Sequence, residues 1–173
     1  MRNLLGALAV LLLASAPCAA SDVDDFTYLF AKTCMQNFYT PEDLAARMAG
    51  NPVLEGESAR FFLGGADGTA WSINDGSANY VVALRNDSVC AVFAAQAPIE
   101  EVTRNFVTSV STAPPPLVAV ERHGKGPSTE HVSTTAYGWS REQDKTELLF
   151  TLTTSSDELS PVKAMASVAL VAK

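Results

Sequence analysis

The sequence is poor in cations and has almost no imidazole. Twelve Lys and Arg face 19 Asp and Glu, two His stand in 173 residues, and the formal net charge is −7. Nucleic acid and anionic membrane surfaces select clustered Lys and Arg, so a chain with a pI of about 4.7 is not expected to bind either. The motifs of several reaction classes are also missing. There is no Gly-x-Ser-x-Gly elbow, no His-x-x-x-His or His-Glu-x-x-His spacing, no P-loop and no Asp-x-Asp-x-Asp-Gly calcium loop. No apolar run is long enough to span a bilayer. Charged residues are also scarce, at 18%, and with a mean hydropathy of +0.11 this describes a chain that folds.

The N-terminal end reads as an export signal. Arg2 is a short positive region, Leu4 to Ala14 is an apolar run, and small residues continue to Ala20. Cleavage after Ala20 places Cys18 at −3 and Ala20 at −1, and leaves residues 21–173 one charge more acidic. The expected location is the periplasm or the exterior. The rival reading, a lipidated Cys18, meets a poor lipobox in Ser15-Ala16-Pro17. Of three cysteines, Cys34 and Cys90 remain after cleavage. An even pair in an oxidising compartment predicts a disulfide, the alternative being two free buried thiols.

Periodicity predicts an α+β fold: a single domain whose mainly antiparallel sheet carries N-terminal and central helices. Helices are expected at Asp22–Asn37, with Phe26, Leu29, Phe30, Thr33, Cys34 and Asn37 on one stripe, at Pro41–Ala49 and at Pro98–Ser111. Ala59–Leu63 and Ala70–Ile73 read as short strands, the first ended by Gly64-Gly65-Ala66-Asp67-Gly68 and the second by Asn74-Asp75-Gly76-Ser77. Asn79–Arg85 and Ser88–Ala95 form a hairpin about Asn86-Asp87. A two-residue turn there sets Leu84 opposite Val89, Val82 opposite Ala91 and Tyr80 opposite Phe93, with Cys90 and Val92 on the other face. Both faces are apolar, so cover on both sides is expected. Leu117–Arg122 is a further strand. His131–Trp139 and Thr146–Ser155 form a second hairpin, with Tyr137 and Trp139 on the face of Leu148, Phe150 and Leu152. Val162–Ala172 reads as a last strand, although its alanines also permit a helix.

Candidate chemistry is sparse. Glu121, His123, Glu130 and His131 flank one loop and are the only weak metal set, with His123 and His131 its imidazoles. Ser128 with Glu130 and His131 is no triad by adjacency alone. Asn86-Asp87-Ser88 matches a glycosylation sequon within a hairpin turn. Trp71, Tyr137 and Trp139 are the candidate lining of a ligand groove, although aromatics on alternating strands are ordinary core residues. No cofactor is expected.

Several runs carry a resemblance. Phe61-Phe62-Leu63-Gly64-Gly65, Gly68-x-x-Trp71, Tyr80-Val81-Val82-Ala83-Leu84, Cys90-Ala91-Val92-Phe93 and Leu149-Phe150-Thr151-Leu152-Thr153-Thr154, with the early Cys34, resemble an uncharacterised family of small exported bacterial proteins, some of them lipoproteins. The resemblance implies export and a paired cysteine, and no activity. The expected function is a non-enzymatic, protein-binding domain of interaction or inhibitor type, with an envelope or periplasmic protein as partner. The alternatives are a small-molecule-binding domain and a metal-assisted hydrolase.

Overall fold

The computed structural model describes residues 24–74 and 79–173; the expected signal peptide, the first residues of the Asp22–Asn37 helix and most of the turn after Asn74 lie outside them. The architecture is α+β. In chain order the elements are α1 (Asp25–Phe30, continued by a π-helical turn, Ala31–Met35), α2 (Pro41–Met48), α3 (Gly56–Phe62), β1 (Gly68–Asn74), β2 (Asn79–Arg85), β3 (Cys90–Ala94), α4 (Ile99–Val110), β4 (Val118–Glu121), β5 (Val132–Ser140), β6 (Thr146–Ser155) and β7 (Ala164–Ala172). The strands form one antiparallel sheet in the order β1-β2-β3-β7-β6-β5-β4. The C-terminal segment is therefore a strand, and it is the central one that joins the two hairpins.

The inner face of the sheet holds the main core. Asp24 caps α1 by accepting from the Thr27 N–H at 2.7 Å, and its second oxygen accepts from Asn105 Nδ2 at 2.8 Å, which ties the start of α1 to α4. Phe26, Phe30 and Cys34 from α1 and its π turn meet Val102, Phe106 and Val110 of α4 over Tyr80, Val82, Val92, Phe150 and Val168. The disulfide Cys34–Cys90 crosses from the π turn to β3. On the outer face α3 covers β1–β3, where Leu63 and Phe62 close over Ala70, Ala83, Ala91 and Phe93.

Two expectations are corrected. The strand expected at Ala59–Leu63 is helical, so three strands stand in place of four before α4. Glu57, Ala59 and Arg60 favour helix, and Gly64 and Gly65 at φ 62° and 79° close it. The Gly65 N–H donates to Arg60 O at 2.9 Å and the Gly64 N–H to Phe61 O at 3.2 Å, the double bond pattern of a glycine helix stop. The β2–β3 register is also shifted by one: Leu84 pairs with Cys90, Val82 with Val92 and Tyr80 with Ala94. Ser88 takes φ 64° and lengthens the loop to three residues, with its N–H on Arg85 O. That shift moves Cys90 and Val92 onto the inner face with Val82, and so places Cys90 beneath Cys34.

Candidate functional site

Trp71, Tyr137 and Trp139 all point to the inner face, but the structure does not bring them together. Five strand spacings, about 24 Å of sheet, separate β1 from β5. Trp139 is close-packed on Phe150 with ring centroids 4.5 Å apart, and its Nε1 donates to Val110 O at 2.6 Å. Tyr137 is half-buried against the same core. Only Trp71 lies beside open space.

That space is a pocket of about 470 Å³ beyond the end of the π turn, between α2 and the β2–β3 hairpin. Phe38, Leu44, Leu84 and Cys90 give it apolar walls, and Arg85 and Glu42 stand in its lining. Two of its residues are polar and deeply buried: Trp71 is 4% exposed and Asn37 5%. Asn37 Nδ2 donates to Thr33 O at 2.8 Å and Lys32 O at 3.0 Å. Both partners are carbonyls, which only accept, so the amide orientation is determined and Oδ1 turns away from the helix. Among the described residues nothing donates to that oxygen and nothing accepts from Trp71 Nε1. Arg85 is bound to Asp87 through both Nε and Nη2 in an exposed ion pair. Asn37 stands at the end of the Phe26–Cys34 stripe in the sequence; an amide on an apolar stripe is the one signal that marks it.

The outer face is different. Beyond α3 no helix among the described residues packs on β4–β7 there, and Leu149, Thr151, Ser167 and Ala169 remain half-exposed. A second, more apolar groove of about 340 Å³ lies where Phe61 of α3 meets Phe93, Val162 and Met165. Further along, Glu147 is buried to 2% exposure and held by Arg122, whose Nε reaches its oxygens at 2.9 and 3.1 Å and whose Nη2 reaches Oε2 at 2.6 Å. The hydrogen bond to Glu147 raises the Arg122 pKa above its ordinary value, against the opposing effect of desolvation. Sequence reasoning missed this pair because Arg122 and Glu147 are 25 residues apart and meet only across β5.

The two edges of the sheet are not equivalent. The free side of β1 is taken by Pro52–Leu54: the Leu54 N–H donates to Ala70 O at 2.8 Å and the Ser72 N–H to Pro52 O at 2.9 Å. β4 has no such cover among the described residues. The Arg122 N–H donates to Ala136 O, so alternation turns the N–H and C=O of Ala119 and Glu121 outward. Val118 and Val120 beside them are 58% and 42% exposed.

The weak metal set disperses. His123 is exposed with its Nδ1 4.0 Å from Glu121 Oε1, while Glu130 and His131 lie by a separate small hollow with Ile99 and Thr154. Among the described residues no three His, Cys, Asp or Glu side chains come together as metal ligands, and no helix is long and apolar enough to cross a membrane. No protein-family model, no curated protein and no solved structure matches the chain.

Proposed function

We propose that the chain is an exported, non-enzymatic binding domain of the bacterial envelope that docks a protein partner along β4. The observation that carries this reading is the asymmetry of the edges: one is closed by Pro52–Leu54, while the other offers two outward backbone donors, two acceptors and the side chains of Val118 and Val120. An extended partner segment adds to such an edge as an eighth strand, with backbone bonds for affinity and the valines for register. The net charge of −7 favours a basic partner, as an inhibitor or immunity protein would have in a basic toxin or hydrolase. The disulfide and the resemblance to exported proteins support an oxidising compartment.

The test is Ala119→Pro. It removes one outward N–H and no bond within the sheet, so the fold is retained while strand addition is blocked. The tagged variant, crosslinked in its native envelope, should lose the protein that the native chain captures. Capture of the same protein in equal yield overturns the reading.

A further inference from the structure

We propose that the pocket beside Trp71 binds a small ligand through a secondary amide group, with the Trp71 Nε1–H donating to its carbonyl and Asn37 Oδ1 accepting from its N–H. This site is separate from the β4 edge, on the other face and at the other end of the sheet, and it does not depend on the partner reading.

Three observations converge. The first is a donor and an acceptor that no protein group engages and that open to solvent, since among the described residues the one buried side-chain N or O atom without a partner is Thr27 Oγ1. A buried indole N–H ordinarily has an acceptor, as Trp139 has in Val110 O. Trp71 is more deeply buried than Trp139, yet its Nε1 has no protein acceptor among the described residues, and Asn37 in the same lining keeps a free acceptor while its donors are spent on Lys32 O and Thr33 O. The buried part of the lining therefore presents one donor and one acceptor, the complement of a group that carries one acceptor and one donor, while the other polar side chains there, Glu42, Thr69, Asn86 and Ser88, are half-buried or exposed.

The second is charge. Arg85, the cation in the lining, is paired through two bonds with Asp87, and Glu42 is the other charged side chain there. The lining therefore carries no net positive charge, so a neutral polar group is favoured over a carboxylate or phosphate. The third is shape. About 470 Å³, walled by Phe38, Leu44, Leu84 and the Cys90 end of the disulfide, suits a compact ligand with apolar flanks around one polar centre. A secondary amide supplies this combination in two sources an envelope protein meets: the peptide bond and the acetamido group of an N-acetylated sugar.

The indole N–H resonances of 15N-labelled protein read this directly, because the two tryptophans serve as signal and control. N-acetyl-alanyl-alanine methylamide and N,N′-diacetylchitobiose are each titrated to about 10 mM, which detects millimolar affinity. One or both should shift the Trp71 indole resonance and leave that of Trp139, already bonded to Val110, in place. Which probe does so distinguishes peptide from sugar. The ester analogue of the peptide, in which all three amide N–H groups are replaced by oxygen, should bind about tenfold more weakly, since Asn37 Oδ1 then has no donor. Trp71→Phe keeps a ring in the core and removes the N–H. In a variant whose spectrum shows it folded, shifts at Thr69 and Ser88 should require about tenfold more probe. No shift with either probe, equal shifts of both indoles, equal binding of the ester, or undiminished binding to Trp71→Phe each overturns the proposal.

Discussion

Gly138 lies directly beneath the carboxylate of Glu147: a methyl group at position 138 would come within 2.2 Å of Glu147 Oε2 and 3.0 Å of Arg122 Nε. The glycine is a matter of space, not of backbone angle, and it lets a buried carboxylate and its guanidinium lie flat across β5. Gly138→Ala should therefore cost about 3 kcal/mol in urea unfolding, because it separates a pair whose carboxylate has no water to turn to. The double variant Arg122→Leu, Glu147→Leu should lose far less, since it leaves no charge unpaired. A Gly138→Ala protein as stable as the native chain would show that the pair tolerates displacement.

The Cys34–Cys90 bond closes a sequence separation of 56 residues. In the chain-entropy model its removal costs about 4 kcal/mol. Cys34→Ala, Cys90→Ala and the double variant should all unfold at the same lower denaturant concentration, and the native chain should join them under reducing conditions. Stability unchanged by reductant would mean that the bond constrains nothing in the unfolded chain.

Thr27, at the first turn of α1, is buried in the core, and among the described residues its hydroxyl has no hydrogen-bond partner. Its backbone N–H is used by the Asp24 cap, which a substitution does not touch. Thr27→Val exchanges the orphan hydroxyl for a methyl of similar shape and should raise stability by about 1 kcal/mol. A loss of stability would reveal a bond to that hydroxyl.

Trp139 fastens the end of α4 to β5 through the 2.6 Å bond from its Nε1 to Val110 O. Trp139→Phe keeps a ring against Phe150 but leaves that carbonyl without the indole. It should destabilise the protein by about 1–2 kcal/mol. Hydrogen exchange should quicken first at the last turn of α4. Uniform acceleration over all elements would instead place the bond in the global core.

Much of the fold was legible because its signals are local. The stripe from Phe26 to Cys34, the period of α4 and the alternation in β5 and β6 each predict the element and the face that the structure displays. What failed was decided by single backbone conformations. Ser88 is an ordinary residue in sequence, yet its left-handed φ lengthens a turn and exchanges the faces of β3. Phe61-Phe62-Leu63 reads as strand until Gly64 and Gly65 are recognised as a helix stop instead of a strand end. The sites were less legible still. Trp71 is identifiable as an aromatic on a strand, but its difference from Trp139 lies in which indole finds an acceptor, a property of tertiary packing. The free edge of β4 depends on strand order, and order is set by β7 at the far end of the chain.

The central claim, docking along β4, is tested most directly by photo-crosslinking in the native envelope. A photoreactive side chain is placed at Val120 on the free edge, and in a second protein at Arg104, which is exposed on α4. The account predicts one discrete crosslinked protein from position 120, lost on raising the salt, and none from position 104. Equal products from both positions, or a product from 104 alone, would contradict it.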